Sequence, residues 1–377
     1  MSTSISLFNF TAAREPDEGI ARTQAAFDYL NTSGRPSAAS IRAFLDSCFS
    51  HYPEAHRAPL AKMIGSKQDP LHAAGIFELL VHELIYRQIG GEVEVEPQIG
   101  SKNKRPDFLV ASKGAAPMVV EVTVANENSS TEHAQSRQRA QVLSVLDGAN
   151  SPRFWLDLHF SGYASVMPKL STLKEEFQVW IDALPNELEE AKSKSFTKQF
   201  HDLRITVKPI LPKKEEHPER PFGAEGPGIK VLRIGDNSRN SLKVKFKKYG
   251  DLGLPFVVAL NGCGMGAGLR DIDAALFGTT VYNQATESIY RDSDGLLSPT
   301  QNTRVSAVLY FHDVSAWSIG SRRSKPTLIH NPWAIHPLKD NPFGVGSASY
   351  GVAELSVQDG PCLADIFGLP VGWPSDE

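Results

Sequence analysis

The first part of the chain alternates hydrophobic and polar residues with helical spacing. Residues 15–68 carry apolar side chains three and four positions apart, which predicts a layer of short helices. A longer helix is predicted from Leu71 to about Ile89, because Asp69 can cap its first turn and glycine follows its last residue. The chain is therefore predicted to begin with helices.

The pattern then changes to the spacing of strands. Three strand-like runs follow the long helix, separated by turns rich in Gly, Ser, Lys and Asn; they cover residues 93–96, 107–111 and 118–124. A helix is predicted at 131–147 and another strand at 154–160. The predicted order is helix, three strands, helix, strand, which is typical of an α/β fold.

The second half of the chain mixes both patterns. It predicts an amphipathic helix that ends at Pro185, a strand at 203–211, an exposed loop at 212–228, a basic helix at Arg239–Lys248 and a buried strand at 255–260. We expect a helical N-terminal segment (1–68), a core (69–165) and a C-terminal α/β region (166–377). The sequence leaves open whether the last region forms its own domain or extends the sheet of the core.

Composition narrows the class of protein. The chain has 377 residues, 41% hydrophobic and 22% charged, which suits a globular protein with one or two cores. Its three cysteines lie far apart and form no Cys-x-x-Cys pair, which argues against a cysteine zinc site. No signal peptide or membrane-spanning run is visible, so we expect a cytoplasmic protein without a membrane segment.

Charge bears on the expected partners. The net charge is −4 and the pI is about 6.3, whereas a protein that coats nucleic acid is usually basic. An enzyme with a local basic groove remains compatible with these values, because the local field matters more than the net charge.

Two carboxylates interrupt the strand runs. In the run 118–124, Val120 and Val122 point one way and Glu121 points the other. A carboxylate in so apolar a strand is costly unless something compensates it. Asp107 opens the preceding strand, and a hairpin brings it beside Glu121. Because adjacent carboxylates repel each other, this pair points to a divalent cation, Mg²⁺ or Mn²⁺.

A third acid lies on the long helix. Glu78 sits beside the apolar stripe of that helix rather than opposite it. Glu83 differs, because Arg87 lies four residues further on and a surface ion pair explains it. We therefore predict Glu78, Asp107 and Glu121 as metal ligands.

The order of these residues resembles that of a known superfamily. Phe77-Glu78-Leu79 in a helix, Pro106-Asp107 at a strand start and Glu121 in the next strand, then a helix, are similar to the PD-(D/E)xK nucleases, and to an uncharacterised bacterial branch of them. The resemblance covers about residues 69–160. It implies a restriction endonuclease-like mixed sheet flanked by helices, here with an N-terminal helical segment and a C-terminal α/β extension.

The resemblance also implies an activity. Asp107 and Glu121 would bind Mg²⁺, with Glu78 as a direct or water-mediated ligand, and the chain would hydrolyse phosphodiester bonds. DNA is the expected substrate ahead of RNA, and a role in bacterial defence against foreign DNA is in keeping with the branch.

The chain departs from the superfamily pattern at one position. Thr123 stands where the pattern has lysine, and a threonine hydroxyl can hydrogen bond but carries no charge. Either another residue takes the place of the lysine or activity is lost. Gln138 is a candidate, because the superfamily often has a polar residue of the next helix at the site; the alternative is a semi-exposed helix residue. The predicted catalytic set is Asp107, Glu121, Thr123 and Gln138.

Four basic residues are candidates for binding nucleic acid. Lys104 and Arg105 precede the Asp107 strand, and Lys243 and Lys247 lie one turn apart in a basic run. Each pair fits either contacts with phosphates or a solvated surface. An acidic pI around a nuclease core also favours a protein partner that supplies specificity.

Two other interpretations stay open. One is a catalytically inactive nuclease-fold protein that binds nucleic acid or acts as a subunit of a defence or repair assembly; Thr123 motivates it. The other is a nucleotide-binding protein that uses the glycine-rich residues 262–268, which have the spacing of a dinucleotide-binding loop without the acidic residue expected further along.

Overall fold

The computed structural model describes residues 6–9, 24–99, 104–111, 116–125, 130–162, 169–213, 221–226, 234–263, 268–323 and 325–376. Its helices are α1 (Ala26–Thr32), α2 (Pro36–His51), α3 (Glu54–Ile64), α4 (Asp69–Ile89), α5 (Ser130–Asp147), α6 (Leu170–Asp182), α7 (Leu188–Lys192), α8 (Ile234–Phe246), α9 (Leu269–Phe277) and α10 (Leu363–Ile366). Its strands are β1 (Glu92–Val95), β2 (Phe108–Ala111), β3 (Met118–Ala125), β4 (Phe154–Ser161), β5 (Phe196–Phe200), β6 (Leu203–Pro212), β7 (Phe222–Gly226), β8 (Phe256–Gly262), β9 (Thr280–Asn283), β10 (Ser288–Arg291), β11 (Ala307–His312), β12 (Thr327–His330), β13 (Gly346–Ser349) and β14 (Ser356–Gln358).

Most predicted elements form where the pattern places them. α4 has proline in its first turn and ends at Gly90, whose φ of 60° is the left-handed conformation that favours glycine. The predicted helix at 131–147 and strand at 154–160 form as α5 and β4. The predicted loop at 212–228 is wrong in part, because β7 lies within it and Phe222 packs into a core. Residues 15–23 of the predicted helical layer lie outside the described residues.

The chain folds as two compact units. The first comprises the described residues of 1–20, 25–127 and 233–377, and the second those of 21–24 and 128–232. The second unit is thus an insertion between β3 and α8. These units divide the chain differently from the predicted segments 1–68, 69–165 and 166–377, because α5 and β4 belong to the insertion and the C-terminal strands return to the first unit.

An eight-stranded mixed sheet forms the centre of the first unit. Its strand order is β1-β2-β3-β8-β11-β12-β13-β14. β1, β2 and β3 are antiparallel neighbours, whereas β8 runs parallel to both β3 and β11. The question that the sequence left open is answered: β8 and β11–β14 extend the sheet of the acid-bearing strands.

Helices cover both faces of this sheet. α4 and the short N-terminal helices share a core with Val120 and Val122, while α8 and α9 share the opposite core with Val119. The alternation predicted for β3 is therefore confirmed, and Glu121 lies on the face that α8 covers. In the described part of the chain, no helix is long and apolar enough to cross a membrane.

The second unit has its own sheet and core. Its strand order is β5-β6-β4-β7, with β6 antiparallel to β4 and β5, and β7 parallel to β4. α6 buries Leu173, Phe177 and Ile181 in the core of this unit. Both units together make a mixed α/β protein, as the sequence predicts.

Candidate functional site

Glu121 is the most deeply buried acid of the candidate site. Its side chain is 0% exposed, and Lys245 and Lys248 each place Nζ 2.5 Å from its Oε1. The Tyr249 hydroxyl donates a hydrogen bond of 2.5 Å to Oε2. Both carboxylate oxygens thus have donors, which supplies the compensation that a buried charge requires.

All three donors come from one short stretch at the end of α8. Leu242 and Phe246 of α8 are buried against the face of the sheet that carries Glu121. Because Lys245 lies three residues after Leu242 and one before Phe246, it stands at the flank of that apolar face. Lys248 and Tyr249 follow in the turn beyond the helix. The apolar packing of α8 therefore places the ammonium groups beside β3.

Asp107 lies across the hairpin from Glu121. The antiparallel register pairs Phe108 with Val120, so Asp107, which directly precedes β2, falls opposite Glu121. Asp107 Oδ2 accepts a hydrogen bond of 2.6 Å from the Val122 N–H. Burial raises the pKa of Asp107 and the nearby Glu121 charge raises it further, whereas Lys245 opposes the rise. The adjacent acids predicted from the sequence are therefore electrostatic neighbours.

Glu78 is the third acid, on α4. The Tyr52 hydroxyl donates a hydrogen bond of 2.8 Å to its Oε1. Burial raises the pKa of Glu78 to about 7, against the effect of the Tyr52 hydrogen bond, and the charges of Asp107 and Glu96 add to the rise. Tyr52 follows α2 directly, so the N-terminal helices contribute to the site as well as to packing.

Two buried tyrosines therefore fix Glu78 and Glu121. Tyr52 binds Glu78 and Tyr249 binds Glu121, and burial raises the pKa of both phenols, which keeps them protonated as donors. The Tyr249 hydroxyl also lies 2.9 Å from the Arg105 carbonyl oxygen. This contact joins the segment that precedes Asp107 to the end of α8.

Two further predicted site residues lie on β3 and α5. Thr123 is half-buried on β3, two residues beyond Glu121, and the positive charge next to Glu121 comes from α8 instead. Gln138 is buried on α5 of the inserted unit. Its predicted role in catalysis stays a prediction.

The predicted nucleic-acid contacts lie on the surface. Lys104 and Arg105 are exposed ahead of β2, and Lys243 and Lys247 are exposed on α8 and just after it. The sequence interpretation selected the exposed lysines of the basic run and missed Lys245. Residues 264–267 of the glycine-rich stretch lie outside the described residues.

Glu83 corrects another expectation. It is 0% exposed rather than at the surface. The predicted ion pair does form, with Arg87 Nε 2.5 Å from Oε1, and His51 Nδ1 lies 2.8 Å from Oε2. Arg87 also donates to the Phe367 carbonyl oxygen at 2.8 Å. The expectation failed because α2 and the C-terminal segment cover this face of α4.

The acids offer oxygen ligands, which suit Mg²⁺ or Mn²⁺. Among the described residues, no group of three or more His, Cys, Asp and Glu side chains is assembled closely enough to hold a metal ion. Asp107 and Glu78 each accept one hydrogen bond through one oxygen, and the second oxygen of each accepts none from any described residue. Glu121 is available to a cation only when a lysine leaves it.

Comparisons with protein-family models, with curated proteins and with solved structures give no match. The fold and the site thus define an α/β protein with a buried acid on a mixed sheet, which two lysines bind from the end of a neighbouring helix and from the turn after it.

Proposed function

We propose that the chain is a divalent-metal-dependent nuclease of the PD-(D/E)xK superfamily, which hydrolyses phosphodiester bonds of DNA in preference to RNA. One observation carries the proposal. Asp107 and Glu121 are neighbouring acids on adjacent strands, and two lysines reach the same carboxylate. Acids that bind a cation, next to ammonium groups that bind phosphate, are what metal-assisted phosphodiester hydrolysis needs.

The arrangement of the large sheet supports a restriction endonuclease-like core. α4, the hairpin strands β1–β3, α8 and β8 follow the order helix, three strands, helix, strand within one unit. β8 pairs in parallel with β3, and the inserted unit separates β3 from α8 along the chain. We therefore propose that α8 and β8 are the helix and strand that complete the superfamily order. The sequence alone predicts α5 and β4 in these two places.

Each acid has a proposed role. Asp107 and Glu121 would hold Mg²⁺ or Mn²⁺, with Glu78 as a direct or water-mediated ligand. When bound, the cation supplies a water of lowered pKa and stabilises charge on the phosphate. Tyr52 and Tyr249 orient the carboxylates of Glu78 and Glu121 by the hydrogen bonds they donate.

Lys245 of α8 offers the positive charge that Thr123 lacks. Lys245 lies 2.5 Å from Glu121, and its charge opposes the rise in the pKa of both Asp107 and Glu78. It can place positive charge beside the reacting phosphate, which a threonine cannot. The exposed Lys104, Arg105, Lys243 and Lys247 would bind the nucleic-acid backbone. A protein partner would supply specificity, and bacterial defence is the proposed setting.

A cleavage assay tests the proposal. Labelled single- and double-stranded DNA and RNA are incubated with the purified chain in Mg²⁺, in Mn²⁺ or in EDTA. We expect metal-dependent cleavage that falls more than about 100-fold in Asp107→Asn. Glu92→Gln, an exposed acid of β1 in the same sheet, is the matched control and should cleave normally. Cleavage in EDTA, or cleavage unchanged by Asp107→Asn, contradicts the proposal.

A second candidate is a nuclease-fold protein without catalysis, which binds nucleic acid or serves in an assembly. The observation that favours it is that Glu121 already has three donors, as in a structural ion-pair network. It predicts no cleavage under any condition and no rise in Tm with Mn²⁺, because only a ligand of the folded state raises Tm.

A further inference from the structure

One oxygen of Glu121 carries both lysines. The two ammonium nitrogens lie 2.5 Å from the same Oε1, while Tyr249 occupies Oε2. Two cations on one carboxylate oxygen repel each other, so this arrangement holds more positive charge than Glu121 alone requires.

Both lysines retain access to solvent. The side chains of Lys245 and Lys248 are 21% and 29% exposed, although their carboxylate is fully buried. A lysine is a single point charge on a flexible stem, so its ammonium can move several ångströms while the stem stays packed. The acid is thus fixed by the sheet, whereas each ammonium group lies at the end of a partly exposed, flexible stem.

We propose that Lys245 and Lys248 are exchangeable counter-ions of Glu121, which leave it when a divalent cation binds and then hold the phosphate of the nucleic acid. This inference rests on the proposed function and concerns how that site is loaded. One divalent cation carries the charge of two ammonium groups, so the exchange leaves the charge around Glu121, Asp107 and Glu78 unchanged.

The exchange links two ligands. A cation at Glu121 frees the ammonium groups for phosphate, and phosphate that attracts those groups frees Glu121 for the cation. Each ligand therefore increases the affinity for the other by the same factor, as linkage requires. Metal binding without nucleic acid is opposed by the lysines.

The first test measures Mn²⁺ binding by isothermal titration calorimetry without nucleic acid. Replacing both lysines, Lys245→Gln with Lys248→Gln, should tighten Mn²⁺ binding about tenfold. The matched control is Lys243→Gln with Lys247→Gln, which removes the same charge from exposed positions of the same basic run. It should change the affinity less than about twofold, because exposed charges are screened by salt.

The second test measures the link itself. The affinity for a phosphorothioate DNA duplex, which resists cleavage, is compared with and without Mn²⁺ at constant ionic strength. Mn²⁺ should tighten duplex binding at least about fivefold in the wild type. This effect should disappear in the Lys245→Gln, Lys248→Gln variant. In the control pair, duplex binding should weaken by the same factor with and without Mn²⁺, so that the effect of Mn²⁺ persists.

Several outcomes overturn the exchange. If the wild type binds Mn²⁺ through Asp107 but the lysine variant binds it equally or more weakly, the lysines are structural and the proposed nuclease function stands. If the control pair tightens Mn²⁺ binding as much, long-range charge is the cause and the exchange is refuted. If neither the wild type nor the lysine variant binds Mn²⁺, both proposals fail. Circular dichroism checks folding, and the single variant Lys248→Gln replaces a double variant that does not fold.

Discussion

Glu83 and Glu121 are both completely buried acids of the first unit, and their partners differ in kind. Each oxygen of Glu83 has its own partner, His51 on one and Arg87 on the other, and the Phe367 carbonyl oxygen fixes Arg87 from a second side. Glu121 instead has two lysines on one oxygen and Asp107 across the hairpin. Glu83 sits in an ion-pair network that joins α2, α4 and the C-terminal segment.

The comparison shows that a buried charge alone does not identify a functional site. Both acids avoid the cost of burial through ionic partners. What distinguishes Glu121 is a second acid beside it and two cations that share one of its oxygens.

The largest expected effect is on stability at Glu83. Glu83→Gln should lower the free energy of unfolding by about 3–5 kcal/mol, because it leaves Arg87 partly buried without its acid. Urea unfolding measures the loss, and cleavage per folded molecule should be unchanged. Glu121→Gln should cost less, because removing that charge also relieves repulsion at Asp107. Equal losses at the two positions would mean that Glu121 belongs to a structural network as Glu83 does.

The next effect concerns His82, which lies near Tyr52, the partner of Glu78, and near His51, a partner of Glu83. Its ring is 4.7 Å from that of Tyr52, and burial, with a further contribution from His51, lowers the pKa of His82 to about 4. The folded protein then binds fewer protons than the unfolded chain between pH 6.5 and about 4, so stability is complete above pH 6.5 and is lost as the pH falls through this window. The loss should reach roughly 3 kcal/mol.

Unfolding measured from pH 7 to pH 4 in the wild type and in His82→Phe tests this link. The phenylalanine keeps a ring against Tyr52 and Phe108 and cannot titrate, so its stability should vary less with pH. Identical pH profiles would show that protonation of His82 does not cause the loss of stability.

The smallest effect tests whether Glu78 and Glu121 belong to one interacting cluster or act as separate acids. Tyr52→Phe and Tyr249→Phe should each cost about 1.5 kcal/mol, because each removes a hydrogen bond to a carboxylate. Glu78 and Glu121 both interact with Asp107, so the double variant should deviate from additivity by at least about 0.5 kcal/mol. Tyr282→Phe, a tyrosine of β9 that is 57% exposed, is the control and should cost almost nothing. Strict additivity would separate the Glu78 and Glu121 regions.

Local patterns were enough to predict much of this architecture. The apolar stripe of α4, the alternation of β3 and the hairpin between Asp107 and Glu121 all depend on residues close in sequence. The predicted mixed α/β organisation is confirmed in its coarse form. The finer fold name and the metal stay predictions.

Long-range partners could not be predicted in the same way. Alternation identifies β3 and β8 as strands, but nothing in it states that they pair across an inserted unit. α5 and β4 have the pattern expected of the next core elements and were assigned to the core for that reason. One local pattern was overlooked: Leu242 and Phe246 mark the buried face of α8, and Lys245 lies at its edge.

The distance along the chain between Glu121 and its cations has a consequence for synthesis of the protein. Lys245 lies 124 residues after Glu121, so a ribosome that adds about 5–20 residues per second needs roughly 6–25 s to make it. During that interval the hairpin has its acids, but neither the ammonium groups that neutralise Glu121 nor the parallel strand β8. The β3 region is therefore expected to fold late, and a nascent chain that ends before residue 245 lacks the proposed site.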